Sequence, residues 1–185
     1  MSNLNLRANR VGINFNGLIK LMKEYYKSLD DNAIIINTLN DNFADAIIKL
    51  KRDVSTPIGP YVNITPFEAM NRIASDLVTL NGIYQLLEID KIVSKKNCEM
   101  TIYLGNEDSP TGDFIINGKH GEAFNVATSF FSGKISQTKR KWIQKNENLD
   151  YILYNGDLGE KTISNIKGFS PKLIPVREWD RKQFK

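Results

Sequence analysis

Asp113 and Glu122 are the residues of this chain whose types and spacing could do chemistry. Between them stands Asn117-Gly118, the dipeptide that favours a two-residue hairpin turn because both central positions take positive φ. Counting outward from that turn, Ile116 faces Lys119, Ile115 faces His120 and Asp113 faces Glu122. Directly opposed residues share a sheet face, with Cβ atoms about 4.5–5.5 Å apart. Two carboxylates so placed repel. A divalent cation that prefers oxygen ligands, most simply Mg²⁺, would turn the repulsion into coordination. A shared proton is a second remedy, and a solvated face on which both acids tolerate each other is a third. Ile115, Phe124 and Val126 fall on the same face, which favours partial burial. A register slip of one residue would put the two acids on opposite faces.

The elements that must position this pair follow from hydrophobic spacing. Leu18, Ile19, Met22, Tyr25, Tyr26 and Leu29 predict a helix over Asn16 to Leu29 with one buried stripe. Asp30-Asp31-Asn32 breaks it and caps a second helix, about Ala33 to Arg52, with Ile36, Leu39, Phe43, Ile47 and Leu50 on its stripe. Thr65-Pro66-Phe67-Glu68 is a capping box with proline at the first helical position. The helix it opens carries Phe67, Met70, Ile73, Ala74, Leu77, Leu80, Tyr84 and Leu87 as a long apolar face. Strands follow at Glu99 to Leu104, Asp113 to Asn117 and His120 to Thr128. Next come a basic amphipathic helix over Ser132 to Gln144 with Ile135, Thr138 and Trp142 inward, and strands at Tyr151 to Tyr154 and Leu173 to Val176. The expected class is α+β, with N-terminal helices packed on a central mixed sheet.

The 185 residues suffice for one domain with its own core. No apolar run approaches the roughly 20 residues that cross a bilayer, and the first residues lack the layout of a signal peptide. One cysteine, Cys98, cannot form an internal disulfide, and one histidine, His120, argues against a multi-histidine zinc site. These features point to a cytoplasmic protein without a membrane partner. The net charge of +4 is concentrated late in the chain. Lys134, Lys139, Arg140, Lys141 and Lys145 occur in a stretch without an acid, and the tail from Lys161 carries seven basic residues against Glu178 and Asp180. Such a run is either a solvated face or a surface for an anionic partner.

The runs Thr101-Ile-Tyr-Leu, Gly112-Asp113-Phe-Ile-Ile and Gly121-Glu122-Ala-Phe-Asn-Val-Ala, followed by a basic helix, resemble the PD-(D/E)XK nuclease superfamily, the restriction-endonuclease-like fold. The resemblance covers roughly Thr65 to Tyr154. It implies a core of helix, three-strand meander, helix and strand over residues 65–155, after a helical extension (1–64) and before a basic segment (156–185). It also implies hydrolysis of DNA phosphodiesters, dependent on Mg²⁺ or Mn²⁺, by a restriction-type endonuclease that can act as a homodimer. Asp113 matches the family's aspartate and Glu122 its second acid, with Asp76 of the preceding helix a better further carboxylate than Glu68. The family's lysine should stand two residues after Glu122, where this chain has Phe124. The resemblance then implies an amine from Lys134, Lys139 or Lys141 on the following helix, or a domain that binds nucleic acid or a partner protein without cutting. His120 is a candidate for proton handling. Gln137 would position water or DNA, and Lys134, Lys139, Arg140, Lys141 and Lys145 would meet its phosphates.

Overall fold

The computed structural model describes residues 10–30, 42–105, 109, 111–159, 161 and 169–177. Six strands form one mixed sheet: β1 (Arg10–Ile13), β2 (Met100–Ile102), β3 (Phe114–Ile116), β4 (Lys119–Phe124), β5 (Tyr151–Asn155) and β6 (Lys172–Val176), adjacent in that order. The first four pair antiparallel, whereas β4, β5 and β6 run parallel. Parallel neighbours need a crossover connection, and between β4 and β5 it is helix α4 (Thr128–Lys145). Helices α1 (Phe15–Asp30), α2 (Phe43–Arg52) and α3 (Pro66–Tyr84) precede the meander, and α3 runs on into a π-helical turn, Gln85–Ile89. The α+β class is as expected.

The sheet separates two cores. On one side Leu18, Met22 and Tyr25 of α1 and Leu80 and Ile83 of α3 pack on Met100, Ile102, Phe114, Ile116 and Leu153. On the other, Phe131 and Trp142 of α4 pack on Phe124, Ile152 and Tyr154. Successive β5 residues thus serve opposite cores, which is why Tyr151-Ile-Leu-Tyr154 is apolar throughout rather than alternating.

The turn at Asn117-Gly118 forms as its residues dictate, with φ of 48° and 76°. Its register is Ile116↔Lys119, Ile115↔His120 and Phe114↔Gly121. Thr65 caps α3, its hydroxyl accepting from Glu68 N–H at 3.3 Å. The Glu68 carboxylate pairs with Arg72 at 2.6 Å.

Three differences from the sequence pattern have physical reasons. Strand β1 was unforeseen, because four residues including Gly12 at φ 68° carry little periodicity and pair only with distant β2. The second helix starts at Phe43 behind an Asn42 cap. The expected beginning at Ala33, with Ile36 and Leu39, lies outside the described residues. Phe43, Phe67 and Met70 are exposed rather than buried. The apolar stripe of α3 is covered only from Ile73 onward, and Phe67 meets the Lys51 ammonium at 5.9 Å instead.

Candidate functional site

Asp113 sits one residue before β3, and the chain reaches it through Gly112 in a conformation that side chains disfavour (φ 90°). Gly112 passes so close to β4 that a Cβ would lie 2.5 Å from the Gly121 carbonyl. Asp113 N–H donates to that same carbonyl at 2.9 Å. The regular ladder therefore ends at Phe114↔Gly121, and the Asp113 side chain turns toward Glu122 and the backbone beyond it. Its Oδ2 accepts from Ala123 N–H at 2.6 Å.

Glu122 is buried, on the face covered by α4. Its Oε1 accepts two hydrogen bonds, from Lys141 Nζ at 2.8 Å and from Trp142 Nε1 at 2.9 Å. Among the described residues, no hydrogen bond reaches Asp113 Oδ1 or Glu122 Oε2. Each carboxylate thus has one oxygen held by a fixed donor and one left over, the arrangement that orients metal-ligating carboxylates.

Both acids line one open cleft of about 410 Å³ between α3 and α4, with Glu68, Arg72 and Asp76 on one wall and Lys134 and Lys141 on the other. Burial, reinforced by the Glu122 charge, pushes the Asp113 carboxyl up to about 7, against the pull of Ala123 N–H and of the Lys141 and Lys134 charges. Without a cation the pair therefore relieves its repulsion by holding a proton near neutrality. The groups that could hold a divalent cation are these two carboxylates, each with an oxygen to spare in an open cleft. Lys141 already neutralises part of Glu122, so such a site would be weaker than one built from acids alone.

Asp76 lines the cleft, but its oxygens are engaged. Oδ2 accepts from Tyr25 and Tyr61 hydroxyls at 2.7 and 2.5 Å, and Oδ1 accepts from Gly105 N–H at 3.0 Å. Burial raises its pKa, with those three bonds and Arg72 opposing the rise. Burial and the Asp76 charge hold both tyrosines well above the usual phenol range. Among the described residues no group of three or more His, Cys, Asp or Glu side chains is arranged around a common ion position.

Phe124, at the position of the resembling family's lysine, is fully buried under α4, edge-on to Phe131. The ammoniums that reach the cleft are on α4. Lys134 and Lys141 line the cleft, and Lys134 also lies over the Phe124 ring at 5.5 Å. Lys139 and Arg140 do not line it, because they fall on other faces of α4, and Lys145 lies over Trp142. Gln137 is exposed. His120 is outside the cleft lining, its Nδ1 3.0 Å from the Thr111 carbonyl and its ring 5.4 Å from that of Trp142. Trp142 was expected only as core; its indole N–H on Glu122 is a second role that helical spacing does not reveal. The convergence of Tyr25 and Tyr61 on Asp76 had no signal in the sequence at all, since it joins residues 51 and 15 positions apart. No protein-family model matches the chain, and no curated protein and no solved structure matches it at a significant level.

Proposed function

We propose that this protein is a divalent-metal-dependent DNA endonuclease of the restriction type, on a PD-(D/E)XK plan whose lysine has moved from the strand to the following helix. The observation that carries the reading is the meeting of Asp113, Glu122, Lys134 and Lys141 in one cleft, each carboxylate oriented by a donor and keeping one free oxygen. Those oxygens would hold Mg²⁺ or Mn²⁺. When bound, such a cation supplies an acidified water and a counter-charge for the phosphate. Lys141 and Trp142 hold one Glu122 oxygen and so aim the other into the cleft. Lys134 has no carboxylate partner among the described residues and offers its ammonium to a phosphate oxygen. Lys139, Arg140 and Lys145 add sequence-independent affinity for the backbone. A duplex cut on both strands needs two such clefts, which a homodimer would provide.

A second reading, a module that binds nucleic acid without cutting it, is favoured by one contact. The Lys141 ammonium already sits 2.8 Å from Glu122 and can stand in for a cation. Plasmid incubated with Mg²⁺ or Mn²⁺ separates the two. The nuclease reading expects cleavage by the parent that Asp113→Ala and Glu122→Ala both abolish. Retention of DNA without cleavage supports the module, and failure of both, with no metal-dependent rise in melting temperature, removes the site.

A further inference from the structure

Helix α4 presents two adjacent ridges. One of them, Phe131, Thr138 and Trp142, is buried against the sheet. Beside it, Phe130, Lys134, Gln137 and Lys141 recur at spacings of four, three and four, and so project within about 60° of one another. Lys134 and Lys141 line the cleft with Asp113 and Glu122, and Gln137 is exposed between them. At 1.5 Å per residue the two lysines are about 10 Å apart along the axis, and Phe130 stands about 6 Å beyond Lys134.

Phe130 is 70% exposed, and among the described residues no ring or ammonium packs on it. Single exposed apolar side chains are ordinary on a protein surface; the position of this one is not, since it continues a line of cleft ammoniums. Its neighbours leave room for a flat partner. Thr128, Ser129 and Ser132 are exposed, and nothing lies within 4 Å of a Cβ placed on Gly133. Ala127, which precedes the helix, gives it no side-chain cap, so the positive end of α4 is open to a flanking phosphate.

We infer that this ridge seats one nucleic-acid strand, with a phosphate at Lys134 and a base stacked on Phe130. The inference rests on the reading of the cleft as a phosphodiester site and departs from it in the substrate, which becomes a strand with a free base in place of an intact duplex. A phenyl ring stacks on any base whose face is free, and an intact duplex hides its base faces. The preferred substrate is therefore a strand with an unpaired base beside the scissile phosphate: single-stranded, bulged or locally melted DNA.

The test uses the full chain and three oligonucleotides of one sequence: intact duplex, duplex with one bulged 2-aminopurine, and single strand. Binding is measured in Ca²⁺ and cleavage in Mg²⁺. The parent is expected to quench 2-aminopurine and to bind the bulged form about tenfold more tightly than the duplex. Phe130→Ala should erase that preference and the quenching, Phe130→Trp should restore both, and Phe130→Leu should not. Equal affinity for the three oligonucleotides, an unchanged Phe130→Ala protein, or rescue by leucine as good as by tryptophan would overturn the inference. Cleavage by the parent that is indifferent to residue 130 sinks the stacking and leaves the nuclease reading standing. Phe130-dependent quenching without any cleavage does the reverse.

Discussion

Asp113 carries the most informative electrostatics in the molecule. Its carboxyl binds a proton more tightly in the folded protein, up to about 7, than in the unfolded chain, where the ordinary value is 3.8. A raised acid contributes its full stability below the unfolded value and loses it as pH rises through the folded one. The metal-free protein should therefore weaken between about pH 4 and pH 7, by up to about 4 kcal/mol. Urea midpoints at pH 5 and pH 8 would read this. Asp113→Asn should flatten the profile, and Mg²⁺ at pH 8 should restore the parent and not the variant. Phe124 gives a second prediction. Placing a lysine there, Phe124→Lys, should cost about 3 kcal/mol or more, because the residue is fully buried against Phe131 and Ile152. It should yield no gain in cleavage, since the cleft already has its amines; melting temperature and plasmid nicking decide. At this scale the acids were legible from a turn and a count. The choice among Lys134, Lys139 and Lys141 was not, because it depends on how α4 is rotated about its axis as it docks.

Among the elements, the β3–β4 hairpin and α4 divide the work. The hairpin brings the acids together by local geometry, and α4 brings the cations because a parallel pairing of β4 with β5 obliges the chain to cross over there. Gly112 is where the hairpin is most exacting. Gly112→Ala would place a methyl 2.5 Å from the Gly121 carbonyl and 3.2 Å from the Trp142 ring, at φ 90°. A loss of about 2–3 kcal/mol is expected. Cleavage should fall further than the fraction unfolded accounts for, since the strain lies next to Asp113; circular dichroism and activity on the same sample would show it. The helical stripes of α1 and α3 and the Thr65 cap were readable from spacing. Strand β1 and the exposure of Phe67 were not, because both depend on which distant surface arrives.

For the molecule as a whole, Asp76 is the tie. Through Tyr25, Tyr61 and Gly105 its one carboxylate joins α1, the turn before α3 and the chain leaving β2, three parts that sequence order gives no reason to connect. Asp76→Ala would leave two buried hydroxyls and an N–H without their acceptor, at a cost of about 3–4 kcal/mol. Thermal unfolding checks this, and Asp76→Asn, which keeps the shape, should lose less. The same contrast between near and distant partners has a kinetic side. The two-residue turn lets Asp113 and Glu122 meet within the microseconds that hairpins need, whereas Lys141 and Trp142 reach Glu122 only after α4 has docked and β5 has found β4. For that interval the chain carries its repulsion unrelieved. Mild acid or Mg²⁺ should therefore steepen the ascent to the native state, raising the refolding arm of a chevron plot more than it lowers the unfolding arm. The ion that would serve the finished site would act first as an aid to its assembly.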